Sequence, residues 1–505
     1  MSNASTSSGT VAGPASSQAA TPPAAGNAPG VPAGLGTATP SAVGMGLALP
    51  EWCPPWAERL GDAYLSGTSC LFLLHGNVRD LVALAPPAAL APPAALAPPA
   101  VPVQPVAPAQ LGREAPVTAG SEWGTVSDFL SREMFGRWDV VLAYDVGKGL
   151  RPLAGPDGAR LRSMVQWLTE RLGNAATWPR DPDAAIGVID ALLERNLIDP
   201  PEQRKRIAIV LDYAQYLAPT GDAASSVKGG AARLVRLLSW ATNPLLRRVN
   251  VAIVLLTDAM AEMHPRLVTC PAVMTIDVPL PDAAERERFA LATAQSVGMP
   301  TEQMEAVKRM ASLSGGLSLE SLRAVVTLSA RERSAPDGPE FALKKKDLIE
   351  RSCQGLVEFI QPRLTLDAVS GHSEAKNRLQ ADARAIQRGQ FESAPMGYLI
   401  CGPVGTGKSF IAECYAGTVG IPCAVLKNFR SKYVGETEGN LEHALDVLRS
   451  LGPVVVVIDE ADAALGNRQS DGDSGTSARV FAMIARQMGD TRYRGKIVWM
   501  LLTSR

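Results

Sequence analysis

The sequence predicts an α/β protein: two tandem modules, each a parallel sheet flanked by helices, behind a disordered N-terminus. Three observations carry this reading. Short runs of Val, Ile and Leu recur along the chain with amphipathic helical stretches between them, the pattern of strands covered on both faces. The two halves also rhyme. Leu211-Asp212 ends one apolar run and Ile458-Asp459-Glu460 ends another, and Val251–Thr257 and Ile497–Thr503 follow at nearly equal spacing, each closing on Leu-Leu-Thr. Finally, 505 residues exceed what one core ordinarily holds, so two or three domains are expected.

Residues 1–50 contain no Asp, Glu, Lys or Arg and few bulky apolar groups, so they are read as a disordered Ala/Pro/Ser-rich tail. The first module is placed at residues 51–335. It opens with a strand at Leu71–Leu74, followed by a Pro-rich insertion at residues 84–112. There Leu-Ala-Pro-Pro-Ala-Ala begins at Leu84 and again at Leu90, with a near copy at Leu96. Paired prolines at that interval bar both helix and central strand, which makes the insertion an extended surface loop inside a domain. Further strands are expected at Val140–Tyr144, Ile207–Asp212 and Val251–Leu256. Between them, Ile186, Ile189, Leu193 and Leu197 recur at helical spacing within Ala185–Leu197. A connector is placed at residues 336–365, with the Lys344-Lys345-Lys346 run read as a solvated helix start. The second module, residues 366–505, carries strands at Tyr398–Ile400, Val454–Ile458 and Ile497–Leu502.

Composition removes several function classes. The 49 basic and 50 acidic residues leave a net charge of −1, without the basic excess of a nucleic-acid-coating or polybasic membrane-surface protein. Four scattered histidines and seven cysteines without a C-x-x-C pair argue against a zinc site or a disulfide framework. No Pro-free apolar run reaches the length of a membrane span and no signal-peptide pattern opens the chain, so a cytoplasmic location is expected.

The residues that carry chemistry lie in the second module. Gly402-Pro403-Val404-Gly405-Thr406-Gly407-Lys408-Ser409 satisfies G-x-x-x-x-G-K-[ST], after a strand and before the helix-forming stretch Ser409–Ala416. The glycines let backbone amides converge on phosphate oxygens, and a helix N-terminus adds its positive dipole. Lys408 is expected at the outer phosphates, with the Ser409 hydroxyl on Mg²⁺. The run Val454–Ile458 then delivers Asp459-Glu460 to the carboxyl end of a strand, where ligands bind in open α/β sheets. Asp459 would order the metal and Glu460 would activate water.

With Ser431-Lys432-Tyr433-Val434-Gly435-Glu436-Thr437-Glu438 between them, these two motifs resemble the AAA ATPases. The resemblance covers roughly residues 360–505, with a weaker echo across about 60–335. It implies the P-loop NTPase fold, ATP and Mg²⁺ as cofactors, self-assembly into a ring (a hexamer in the family) and an unidentified protein client. Leu364-Thr-Leu-Asp-Ala-Val-Ser-Gly371 is similar to the family segment whose backbone lies against adenine, which puts Ala368, Val369 and Ser370 at the base. Phe410, directly after the phosphate loop, joins the nucleotide contacts. Tyr433 and Val434 match the pore loop that grips extended polypeptide. Ser504 falls where the family has its polar sensor, and Asp473–Val480 should begin a helix facing a neighbouring subunit.

The first module lacks the phosphate loop. After Leu74 it reads His75-Gly76-Asn77-Val78-Arg79-Asp80, best taken as a turn satisfying its own backbone, and its later strand ends in Asp212-Tyr213. Ile276–Pro281, Glu285-Arg286 and Leu313–Ser318 resemble the segment leading into the family's helical lid, placed at about 283–335. The first module is thus expected to be a degenerate AAA-like unit without hydrolysis. The second is expected to lack its lid and arginine fingers, so that the chain as given binds nucleotide weakly and turns over little. The leading function is ATP-driven remodelling of a protein client. A nucleotide-gated scaffold is the alternative, and a clamp-loader or DNA-remodelling ATPase is disfavoured by the charge balance.

Overall fold

A computed structural model of the chain describes residues 52–84, 123–155, 157–174, 177–220, 230–332, 336, 339–427, 434–464 and 476–504. Every described residue belongs to one compact unit, within residues 42–505. The predicted tail and all of the Pro-rich insertion past Leu84 lie outside the described residues.

Thirteen strands are described, β1 (Leu71–Gly76), β2 (Leu81–Ala83), β3 (Trp123–Thr125), β4 (Val140–Asp145), β5 (Gly149–Pro152), β6 (Ile207–Leu211), β7 (Val251–Leu256), β8 (Val273–Val278), β9 (Val357–Ile360), β10 (Gly397–Cys401), β11 (Cys423–Leu426), β12 (Val454–Ile458) and β13 (Ile497–Thr503). The first sheet runs β5-β4-β6-β7-β1-β8 and the second β10-β13-β12-β11-β9. Every neighbouring pair within these two sheets is parallel except β4–β5 and β11–β9, which are antiparallel. The common order is therefore β1-β7-β6-β4 against β10-β13-β12-β11, each closed by one antiparallel edge strand. The internal rhyme is a repeated sheet: Leu211 pairs with Leu255 in the first, and Ile458 with Leu501 in the second.

Parallel strands buried on both faces need apolar residues throughout, and β4, β6, β7 and β12 are buried along their whole length. One face of the first sheet packs on the helices Pro182–Ile198 and Gly230–Thr242, the other on Pro55–Leu65 and the segment Val126–Met134. One face of the second sheet packs on the helices Ser373–Gln387 and Lys408–Val419. Its other face is covered by Val434–Ser450 and Thr476–Met488, and that core is continuous with the helices Ala283–Ser296, Met304–Leu313, Leu319–Glu332 and Pro339–Ser352. Phe289, Met310 and Val326 thus share one apolar cluster with Leu445, Val456 and Trp499. Burial of this size, about 1.5–3 kcal/mol per large side chain, ties the helices that follow β8 to the second sheet.

Three sequence expectations need correction. The Pro-rich insertion begins one residue late for its reading, because Leu84 is buried beside β2; β2 pairs antiparallel with β3, so the insertion interrupts a hairpin. The stretch read as a plain connector supplies the helix Pro339–Ser352 and then β9, an edge strand of the second sheet. The three lysines lie mid-helix rather than at a solvated start: Lys344 pairs with Glu332 at 3.0 Å and Lys346 with Glu350 at 3.7 Å. Lys345 donates to the Leu313 carbonyl at 2.7 Å, and burial, with Arg286 nearby, pushes its ammonium down to about 8.

Candidate functional site

The phosphate loop leaves the carboxyl end of β10. Gly405 and Gly407 hold φ of +85° and +83°, a region other residues enter only with strain, and this conformation turns the chain into the helix Lys408–Val419. Thr406 ties the loop by donating its hydroxyl to the Pro403 carbonyl at 2.8 Å. Gly402 donates its amide to Thr503 on β13 at 3.2 Å, which fixes the loop against the neighbouring strand. Lys408 donates Nζ to the carbonyls of Gly402 and Pro403, each at 2.8 Å, so its ammonium lies over the loop. Val404 is 88% exposed and Phe410 40% exposed, both on the open side.

Asp459 and Glu460 follow β12 directly. Ser409 Oγ donates to Asp459 Oδ2 at 3.0 Å, and the Glu460 amide donates to Asp459 Oδ1 at 2.8 Å. A hydroxyl and a carboxylate that converge at this distance form the hard oxygen pair that suits Mg²⁺, which keeps several waters and needs few protein ligands. Glu460 is exposed and holds φ of +48°, a left-handed backbone that breaks the strand line directly after Asp459. Ser504 is exposed after β13, the strand that lies between β10 and β12. Sequence reasoning missed the pair beneath it. Thr503 is buried and donates Oγ1 to Asp462 Oδ1 at 2.9 Å, bracing the turn after Glu460.

The segment before the module is fixed to the phosphate-loop helix. The Leu366 amide donates to Thr418 Oγ1 at 2.8 Å, and a Cβ on Gly417 would lie 2.2 Å from the Leu364 carbonyl oxygen, so only glycine admits this approach. Val369 is buried in the core of that face, its carbonyl accepting from Lys376 Nζ at 3.2 Å, while Ala368 and Ser370 are exposed. Tyr433 lies outside the described residues and Val434 opens the helix Val434–Ser450. Arg479, expected to face a neighbouring subunit, donates Nε to Glu438 Oε1 at 2.7 Å within the chain.

The first module repeats this edge with different chemistry. Tyr213, the counterpart of Glu460 after β6, holds the same left-handed backbone at φ +53°. Arg79 donates Nε to Asp258 Oδ1 at 2.8 Å and Nη1 to Asp212 Oδ1, and its guanidinium lies 3.7 Å from the centre of the Tyr213 ring. Burial works against that charge, but Asp212 and Asp258 outweigh it and hold Arg79 above its ordinary value. Asp212 stands where the second module has Asp459, so an internal cation takes the carboxylate that a metal would need. Asp80 corrects the local-turn reading. Besides accepting from Asn77 at 2.9 Å, it caps a helix far along the chain, accepting from the amides of Leu319 at 2.7 Å and Glu320 at 2.9 Å.

Two family models match separate stretches of the chain. Residues 398–505 match the family model for the ATPase family associated with various cellular activities (AAA). The second module is similar to this family over that stretch. Residues 48–279 match a separate model, the AAA+ chaperone N-terminal Rossmann-like domain. Among curated relatives, an uncharacterized AAA domain-containing protein, ycf46, from Pyropia yezoensis is 29% identical over 219 residues, 41% of this chain and 44% of that protein. The ycf46 protein of Guillardia theta is 26% identical over 217 residues, 42% of each chain. The ATP-dependent zinc metalloprotease FtsH 1 of Salinibacter ruber is 32% identical over 124 residues, 23% of this chain and 18% of that protein. The chain thus spans less than half the length of each. Among its described residues no helix is long and apolar enough to cross a membrane.

Proposed function

We propose that the second module binds ATP with Mg²⁺ and hydrolyses it, and that a homo-oligomeric ring of the chain, a hexamer, couples this to remodelling a protein client in the cytoplasm. The observation that carries the reading is the convergence of Ser409 on Asp459 at the lip of a glycine loop with Lys408 above it. Backbone amides of Gly405, Gly407 and the helix start hold phosphate oxygens, and Lys408 swings from its carbonyls to the outer phosphates. Ser409 and Asp459 would hold Mg²⁺, which would supply neutralising charge to the phosphates. Glu460, exposed directly after Asp459, takes a proton from the attacking water. Ser504 offers its hydroxyl beside the outer phosphate, Ala368, Val369 and Ser370 face the base, and Phe410 borders the site. Tyr433 and Val434 engage the client. Isothermal titration with a non-hydrolysable ATP analogue and Mg²⁺ tests the binding step. Lys408→Ala should weaken binding by about a hundredfold, since a charge-assisted contact is lost; an unchanged heat signal would end the reading.

A second reading, a nucleotide-gated scaffold, is favoured by the first module, whose metal position is filled by Arg79 and which therefore has no site of its own to cycle. Tyr433→Ala separates the two, because remodelling should fail while assembly and ATP binding persist.

A further inference from the structure

The carboxyl edge of the first sheet is not open. Its β1, β7 and β8 ends meet the second module's helix Val434–Ser450, and three kinds of contact join them. Glu442 accepts from the Ala261 amide at 3.2 Å with Oε2, and its Oε1 lies 3.7 Å from His75 Nδ1. The helix backbone at Gly439 comes close to first-module side chains: a Cβ there would lie 3.2 Å from Ala259 Cβ and 3.0 Å from Glu262 Oε1. The far end of the helix is gripped as well. A Cβ on Gly315 would lie 3.0 Å from the Ser450 carbonyl oxygen, and Gly316, at φ +85°, packs on the Leu451 side chain. Asp80 links the two grips, since it belongs to the loop after β1 and caps the helix that follows the glycine pair.

We propose that this edge of the first module is an interaction surface whose partner is the helix Val434–Ser450 of the second module, making the first module a nucleotide-free brace that fixes that helix. The surface fits this partner in shape through Gly439, Gly315 and Gly316, and in polarity through Glu442, which accepts from the Ala261 amide and, with Asp277 at 4.0 Å, lies near the His75 imidazole. Around the contact, Asp277, His443, Asp446, Arg449 and Tyr493 line a cavity of about 210 Å³, leaving room for water at the seam. The helix begins one residue after Tyr433, so the brace also sets where the proposed client segment starts. The tests below do not depend on that reading or on ATP turnover.

In the full chain, Ala259→Cys with Gly439→Cys should form a disulfide under mild oxidation, identified by mass spectrometry of the linked peptides. Lys408→Ala, which removes nucleotide binding, should leave this link intact. Hydrogen exchange gives a second measurement that needs no new side chain in the close contact. Glu442→Ala should speed exchange of the Ala261 amide about tenfold, the effect of losing one hydrogen bond to a charged group. Glu442→Gln, which keeps the acceptor, should restore slow exchange. Failure of the linked peptide to form, or an Ala261 amide that exchanges equally in wild type and Glu442→Ala, would overturn the brace.

Discussion

Two carboxyl edges in one chain share a sheet order and diverge in what they hold. In the second module, β10, β13 and β12 end in a glycine loop, Ser504 and Asp459-Glu460, all exposed around a hydroxyl–carboxylate pair. In the first, β1, β7 and β6 end in Arg79, Asp258 and Asp212-Tyr213, drawn together into an internal ion pair capped by an aromatic ring. Even the left-handed residue after the central strand is retained, as Tyr213 and Glu460. The backbone at this edge is thus separable from its chemistry: one arginine is enough to occupy carboxylates that elsewhere stand free for a cation.

The comparison can be broken or sharpened in four ways. The largest effect is expected at Glu460→Gln, which should lower ATP turnover by roughly a thousandfold while leaving binding in place, as for the loss of a general base; Tyr213→Phe, at the matching position, should leave turnover unaltered. Single-turnover kinetics beside equilibrium titration would read both. Next comes the shared core. Leu445→Ala removes a buried side chain from the cluster that unites the helices after β8 with the second sheet, so it should cost about 2–5 kcal/mol and lower the melting of both modules together. Separate transitions by calorimetry would show that the modules are energetically independent.

A smaller loss is expected at Arg79→Ala. It leaves Asp212 and Asp258 facing each other, but the cluster is partly exposed, so about 1–2 kcal/mol is expected in denaturant titration, with nucleotide affinity unchanged. The smallest effect is pH-dependent. Burial, with Asp277 and Glu442 adding to it and Arg449 opposing, pushes the Asp446 carboxyl up to about 7. The folded state therefore holds this proton more tightly than the unfolded chain. Its contribution is fully present below about 4, declines as pH rises to about 7 and is flat above that. His443 has the opposite sign, because burial pushes it below its ordinary value. The clean reading is the difference between wild type and Asp446→Asn, which should grow in favour of the variant from pH 5 to pH 8 in chemical denaturation.

Much of this was legible in the sequence because it is local. The fully buried strands β4, β6, β7 and β12 announce themselves as unbroken Val/Ile/Leu runs, and the phosphate loop is eight consecutive residues between a strand and a helix. Edge strands were harder. β8 is interrupted by Thr275 and Asp277, which an edge position permits, and β9 belongs to a stretch whose Glu358 pairs with Lys427 across the sheet edge. What no local pattern could give is pairing at a distance. Arg79 meets Asp212 and Asp258 only because β1, β6 and β7 end side by side, and Asp80 reaches a helix whose start is 239 residues away. Glu442 on Ala261 is of the same kind.

Binding stoichiometry tests the central contrast most directly. Titration of the full chain with an Mg²⁺-bound, non-hydrolysable ATP analogue should saturate at a single equivalent, and that equivalent should vanish in Lys408→Ala while persisting in Arg79→Ala. Two equivalents per chain, or one that survives Lys408→Ala, would mean that the first edge takes nucleotide after all.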